Sequence, residues 1–190
     1  MRRVLSFIAL LAVALGLAIA PAQASNAYVF IGCKMTNPVI LWKDATSSTA
    51  YRAVAVNAMN AWGTLTHVGF SVVTSGSNLT VASGNFGPTG FDGIMKSGTS
   101  LYPPGCSSTG NWTSTAFAWL NTQYTDAYTA QKRQSVFSHE IGHALGLDHE
   151  NDGGCNTMAV MYYTTSGRYD SCSIYGPKLD DITGVNLLYP

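Results

Sequence analysis

Three of the chain's four histidines and one of its two glutamates fall within eleven positions, from His139 to His149. On a helix, His139 and His143 would lie one turn apart on the same face and could chelate one metal ion. Glu140 would project about 100° around that helix, so it is better placed to hold a water than to bind the metal. Gly146 can take the left-handed conformation that ends a helix, which would return His149 as a third ligand. The pattern predicts a catalytic zinc site, because three protein ligands leave the fourth position open.

Residues 1–24 have the features of a secretory signal peptide. A basic start at Arg2 and Arg3 precedes an almost wholly apolar run from Val4 to Ala20, and small residues precede Ser25. A membrane anchor is the alternative, but the apolar run is shorter than the usual span of about 20 residues. We therefore predict a secreted, extracellular protein that is cleaved after residue 24.

Residues 25–190 are enough for one domain with its own core and too few for two. Without Arg2 and Arg3, this region keeps eight of the ten basic side chains against ten acidic ones. Such a balance argues against a nucleic-acid surface and against a polybasic membrane patch. We expect a monomer that binds neither nucleic acid nor, after signal cleavage, a membrane.

The four cysteines are an even number in an exported chain, which favours two disulfides over free thiols. Three pairings are possible. We favour Cys155–Cys172, which closes a short loop, together with Cys33–Cys106, which ties the start of the domain to a central Pro-Gly loop. Zinc ligation by cysteine is disfavoured because no two cysteines have close chelating spacing.

The apolar pattern predicts a strand at residues 39–42, then a helix that begins after the polar cluster 47–49 and stops at Gly63. This helix has one apolar face, made of Tyr51, Val54, Ala55, Ala58 and Trp62. Four more strands are predicted at residues 70–73, 79–82, 93–96 and 116–120. A continuous helix over residues 129–145 then carries the metal motif, and a closing helix covers residues 179–189.

The run His-Glu-x-x-His-x-x-Gly-x-x-His from His139 to His149 resembles the long zinc signature of the metzincin metallopeptidases. Met161, within Ala-Val-Met-Tyr-Tyr, is in the place of the methionine that this clan has beneath the metal, with Met158 as a competitor. The closing stretch 179–189, with its Asp-Asp-Ile-x-Gly and Leu-Tyr, resembles the end of a matrixin catalytic domain.

The resemblance implies an α+β fold of the metzincin type. It would contain a twisted, mostly parallel sheet of about five strands, two long helices, and a small irregular C-terminal part that ends in a helix. The upper part would cover about residues 25–146 and the lower part about 147–190, with one catalytic zinc between them. A peptide would bind in extended form along the edge strand 93–97, with its specificity pocket between the metal helix and residues 162–169. Gly167, Arg168 and Tyr169 could shape that pocket.

The resemblance also assigns roles to individual side chains. Glu140 would act as general base on the attacking water and then as general acid toward the departing amine. Asp180 and Asp181 would support the methionine turn and the closing helix. Tyr163 occupies a position where matrixins usually have proline, while astacin-like and serralysin-like proteins have a tyrosine that can reach the metal or the oxyanion. Tyr163 is therefore either a hydrogen-bond donor in the transition state or a packed wall residue.

Besides Tyr163, two departures from the matrixin pattern stand out. No propeptide of the usual kind fits before the first strand, and Cys33 could act as a zinc latch only if it were not in a disulfide, which is the favoured interpretation. A second, structural zinc is not expected, because His67 is the only histidine outside the motif. Calcium could still be bound by carbonyls with Asp92, Asp152 or Asp170, since such sites need no sequence signature.

The resemblance thus favours a secreted zinc-dependent endopeptidase. The alternative from another class is a secreted zinc-binding or toxin-like module without significant peptidase turnover. Glu140 argues against this alternative, since a purely structural zinc site prefers four protein ligands with no open position and has no use for an acid beside them. A third hypothesis, disfavoured by the extended signature, is a metal-dependent hydrolase that acts on other bonds.

Overall fold

The computed structural model describes residues 28–190. The predicted signal peptide and its cleavage site lie outside this range. Within it, no helix is both long and apolar enough to cross a membrane.

The centre of the fold is a five-stranded sheet in the order β2-β1-β3-β5-β4. Its strands are β1 (Val39–Ala45), β2 (Gly69–Val72), β3 (Leu79–Gly84), β4 (Gly93–Ser97) and β5 (Ala116–Asn121). All neighbouring strands pair in parallel except β4, which runs antiparallel to β5 and forms one edge of the sheet. Together with two long helices, this arrangement confirms the predicted α+β fold with its mostly parallel sheet.

The pattern of burial follows from the position of each strand in the sheet. In β1, Ile40 and Trp42 are buried and their neighbours Val39 and Leu41 are exposed, as expected for a strand covered on one face. The central strand β3 is buried along almost its whole length. Burial of successive residues is typical of a parallel strand that is covered on both faces.

The first long helix, α1 (Thr49–Leu65), begins at Ser48, whose side chain accepts a hydrogen bond from the Tyr51 N–H. Its predicted apolar face is buried. The predicted stop at Gly63 is wrong, because the helix continues for two more residues. A glycine inside a helix costs only about 1 kcal/mol relative to alanine, and the buried Met59 and Trp62 hold the last turns in place.

The second long helix carries the metal motif. After a short α2 (Thr122–Thr125), α3 (Ala130–Leu145) begins at Thr129, whose side chain accepts from the Lys132 N–H. Phe137, Ile141 and Leu145 of α3 are fully buried. The indole N–H of Trp62 donates to the Ser138 carbonyl at 3.0 Å and so joins α1 to α3.

The chain after α3 is irregular, as predicted, until the closing helix α4 (Leu179–Leu188). It contains a short π-helix over Ser166–Ser171, and the disulfide Cys155–Cys172 closes the loop that includes it. The other disulfide joins Cys33 to Cys106, so a free Cys33 latch on the metal is wrong. At the chain end, the Tyr189 hydroxyl donates to the Leu145 carbonyl and accepts from the Met35 N–H, which fastens α4 to the end of α3.

Candidate metal centre

The side chains of His139, His143 and His149 converge on one point. Their Nε2 atoms lie 3.1 Å (His139 to His143), 3.1 Å (His143 to His149) and 3.2 Å (His139 to His149) apart. Zinc bound tetrahedrally at about 2.0–2.1 Å needs ligand nitrogens about 3.3 Å from one another. The three imidazoles are therefore spaced as ligands of one small cation.

The other ring nitrogens decide which atoms face this point. His139 Nδ1 lies 2.9 Å from the Val160 carbonyl, and His143 Nδ1 lies 2.8 Å from the Leu147 carbonyl. A carbonyl only accepts, so these Nδ1 atoms carry the protons and the Nε2 atoms present lone pairs. Lone pairs facing one another cannot form hydrogen bonds. A cation bound between them satisfies all three, and the donor set therefore fits zinc.

The imidazoles are held in the neutral form that a metal requires. Burial lowers the pKa of His139 well below its usual value and lowers that of His143 to about 4. Burial also lowers the pKa of His149, the most exposed of the three.

Gly146 turns the chain so that His149 can return to the site. Its φ of 114° lies in the left-handed region, and its N–H donates to the carbonyls of Gly142 and His143. A Cβ at Gly146 would lie only 2.7 Å from the Cys33 carbonyl oxygen. Backbone conformation and the close contact with Cys33 both require glycine here.

Glu140 lies beside the histidines against the edge strand. Its side chain is buried, and a Cβ at Gly93 would lie 2.7 Å from Glu140 Oε1 and 2.4 Å from Val136 Cγ1. The absence of a side chain at Gly93 therefore lets β4 pack directly over the carboxyl group. Burial raises the pKa of Glu140 to about 8, while the charge of Arg168 and a hydrogen bond from the Met95 backbone oppose the rise.

Met161 packs directly beneath the metal helix. A Cβ at Gly142, which lies between the first two histidines of the motif, would come within 2.3 Å of Met161 Sδ and 3.2 Å of Trp62 Cζ2. Met158 is also buried, but Met161 is the methionine whose sulfur contacts the helix at this glycine. The motif therefore needs glycine at two positions, at Gly146 for the contact with Cys33 and at Gly142 for the contact with Met161. The sequence analysis did not predict the second contact, because Gly142 and Met161 lie far apart along the chain.

The two acids at the start of α4 contact different segments, and Asp181 is the one that supports the methionine turn. The carboxylate of Asp181 accepts from the N–H groups of Val160 (2.8 Å), Met161 (3.2 Å) and Lys178 (2.7 Å). Burial raises the pKa of Asp181 to about 6, and these three donors oppose that rise. Asp180 hydrogen bonds with the side chain of Glu150, next to the third histidine. α4 is thus joined to both segments that follow the metal helix.

A cleft of about 560 Å³ opens in front of the histidines. Residues 90–95 form one wall, residues 163–166 with Arg168 and Asp170 form the other, and Tyr124, Tyr128 and Lys132 also line the cleft. Of the three residues predicted to shape the specificity pocket, Arg168 lines the cleft, whereas Gly167 and Tyr169 do not. Tyr163 is 53% exposed and its ring stacks at a tilt on Tyr162, with 5.1 Å between ring centroids. It lines the cleft, as both interpretations of this residue require.

Two of the three aspartates considered for calcium already have side-chain partners. Asp92 accepts from the Tyr128 hydroxyl at 3.1 Å, and Asp170 pairs with Lys132 at 2.7 Å. Within residues 28–190, the histidine trio is the only set of three side chains whose ligand atoms are close enough to share a metal.

The sequence profile of peptidase family M10, the matrixins, matches residues 34–190. The chain belongs to the matrixin family. The matched region is thus a metalloprotease catalytic domain of the metzincin type, and it includes every residue of the histidine site.

Two curated relatives show how far the likeness of this matrixin domain extends. It is 28% identical over 162 residues to serralysin A of Dickeya chrysanthemi, an alignment that covers 75% of this chain and 33% of that protein. It is 32% identical over 136 residues to macrophage metalloelastase of Oryctolagus cuniculus, covering 70% and 27% respectively. The chain thus spans a third or less of the length of these relatives. The solved structure of myroilysin is similar to it with a TM-score of 0.45 and 20% identity, covering 64% of this chain and 54% of that one.

Proposed function

We propose that this matrixin domain is a secreted zinc-dependent endopeptidase. The observation that carries the proposal is the convergence of three imidazole Nε2 atoms next to the buried carboxyl of Glu140, on the wall of an open cleft. A site that only stored zinc would gain nothing from an acid placed beside the ligands. The two disulfides and the predicted signal peptide support a location outside the cell.

The substrate is a peptide in extended form. β4 is an edge strand beside the cleft, and its backbone can form a ladder with an added strand. Since antiparallel pairing is the more stable kind, the peptide runs antiparallel to β4. This places a peptide carbonyl in front of the histidines, within reach of Glu140.

Glu140 performs the proton transfers of hydrolysis. When bound, zinc supplies a Lewis acid that polarises the peptide carbonyl and makes a water more acidic. Glu140 accepts a proton from the attacking water and returns it to the nitrogen of the departing amine. Gly93 and Val136 confine the carboxyl group, while the carbonyls of Val160 and Leu147 fix the orientation of two imidazoles.

Digestion of a peptide library by the processed protein, read by mass spectrometry, tests this function. We expect defined internal cleavage sites, complete loss of cleavage in the presence of a zinc chelator, and recovery when zinc is added back. Cleavage that persists in the chelator would contradict the proposal. Zinc binding without any cleavage would instead favour the binding module, and hydrolysis of non-peptide bonds alone would favour another hydrolase.

Tyr163→Phe separates the two interpretations of this tyrosine. We propose that the hydroxyl donates to the oxyanion, since its exposed position on the cleft wall leaves it free to reach a bound peptide. The variant should then lower kcat by about 10²-fold or more with little change in KM. An unchanged kcat would make Tyr163 a wall residue. Tyr162→Phe, on the neighbouring ring, is the matched control.

A further inference from the structure

Arg168 is a buried charge on the wall of the catalytic cleft. It lies in the π-helix Ser166–Ser171, is only 1% exposed, and contributes to the lining of the cleft. Burial lowers the pKa of its guanidinium from the usual value, while the nearby carboxyls of Glu140 and Asp92 oppose this change.

All the hydrogen-bond partners of Arg168 are neutral. Nε donates to Ser135 Oγ at 3.1 Å, Nη1 to the Tyr162 carbonyl at 3.0 Å, and Nη2 to Thr165 Oγ1 at 2.9 Å. A guanidinium has five N–H groups, so three donors are used and two remain. Across residues 28–190, the ion pairs are Arg52–Asp44 and Lys132–Asp170, and Arg168 has no carboxylate within 4.0 Å. Buried charges are normally paired, because an unpaired one is costly.

The other charged groups at this end of the cleft already have partners. Lys132 pairs with Asp170 and lies 4.2 Å above the Tyr128 ring, and the Tyr128 hydroxyl donates to Asp92 Oδ2. Arg168 is thus the cation whose remaining donors are available to a ligand that enters the cleft. A carboxylate is the group that best matches a guanidinium, because both are planar and can form two parallel hydrogen bonds.

The direction of the peptide indicates which substrate residue reaches this position. A peptide antiparallel to β4 has its C-terminal half beside Asp92 and Gly93, at the beginning of the strand. The Asp92–Tyr128 hydrogen bond places Tyr128 and the Lys132 above it on that same side of the histidines. The charges of Asp92 and Tyr128 act on the Arg168 guanidinium, so Arg168 lines this same end of the cleft. With the peptide in this direction, the residue that follows the scissile bond would be the one to meet Arg168.

We propose that the cleft selects peptides with an aspartate or glutamate side chain immediately after the scissile bond, and that Arg168 binds this carboxylate. The inference rests on the proposed endopeptidase function and specifies its substrate class. Lys132 offsets the charge of Asp170, and Asp92 is hydrogen-bonded to the Tyr128 hydroxyl, so neither carboxylate is bonded to the Arg168 guanidinium.

A panel of matched peptides tests the proposal on the wild-type protein. The peptides share a cleavage site found in the library and carry Asp, Asn, Glu, Gln, Leu or Lys after the scissile bond. We expect kcat/KM to be about 10- to 100-fold higher for Asp than for Asn, and likewise for Glu over Gln. Ratios within about twofold, or a preference for Lys, would overturn the proposal. Failure to cleave any peptide would instead contradict the proposed function itself.

A second pair of peptides tests whether Arg168 binds an acidic side chain or the C-terminal carboxylate of a peptide. Both peptides have leucine as their last residue, directly after the scissile bond. One peptide has a free C-terminus and the other an amidated one. Selection of the acidic side chain predicts similar kcat/KM for both. A large preference for the free terminus, without discrimination between Asp and Asn in the longer peptides, would overturn the proposal in favour of C-terminal recognition.

Substitution of Arg168 links the preference to this residue. Arg168→Met should reduce the Asp/Asn ratio of kcat/KM to near one, and Arg168→Lys should keep an intermediate ratio. Both peptides are measured on the same preparation, so a smaller fraction of folded protein lowers the two kcat/KM values equally and leaves their ratio unchanged. Arg133→Met is the matched control, because Arg133 on α3 bonds to the Thr125 and Asp126 carbonyls outside the cleft. A wild-type ratio in both Arg168 variants would overturn the assignment.

Discussion

Glu140→Gln should lose peptide hydrolysis by about 10²- to 10⁴-fold while it binds zinc as the wild type does. The amide has the shape of the carboxyl group and fits the same space beneath Gly93, but it cannot accept a proton from water. The three histidine ligands are unchanged, so metal content should stay the same. The measurements are kcat/KM on a peptide identified by library digestion and the zinc content by elemental analysis.

The chain contains a matched control for this substitution. Glu150 is the other glutamate and is also buried, but it hydrogen bonds with Asp180 rather than lining the cleft. Glu150→Gln should keep activity within a few-fold of the wild type. Substantial hydrolysis by a zinc-loaded Glu140→Gln protein would remove Glu140 from the proton transfers and leave the mechanism without its base.

His149→Ala should lower zinc affinity by more than about 100-fold and abolish hydrolysis in consequence. Loss of a residue that only orients a metal ligand lowers metal affinity by about 10- to 100-fold, so loss of a ligand itself should lower the affinity further. His149 is the most exposed of the three histidines and lies after Gly146, outside helix α3. The zinc-free variant should therefore unfold at nearly the same temperature as zinc-free wild type. Zinc titration and thermal unfolding measure the two effects separately.

His67→Ala is the control for this experiment. His67 is the one histidine outside the motif, is exposed, and has its Nδ1 3.0 Å from the Tyr189 carbonyl. Its loss should leave zinc affinity unchanged. Equal zinc affinity in His149→Ala and wild type would show that the third ligand is another group.

Local sequence was sufficient to predict that His139, His143 and His149 lie close enough to share one metal ion. The spacing between His139 and His143 follows from the helical repeat, and Gly146 ends the helix through its own backbone conformation, so neither depends on distant residues. The alternating and periodic apolar residues likewise predicted the five strands and the two long helices. The end of α1 was mispredicted, because packing around Trp62 outweighed the weak local preference of Gly63.

Residue types and their spacing were enough to predict which side chains could bind zinc and which acid lies next to them. How those groups are held, and what surrounds them, depends on tertiary packing. Gly93 over Glu140 and Gly142 over Met161 are contacts between segments far apart in the chain, and no local pattern encodes them. The same holds for Arg168, which in the sequence is one cation of a loop. Its burial beside the cleft follows from the packing of the π-helix against α3, because desolvation depends on which surfaces meet and not on sequence neighbours.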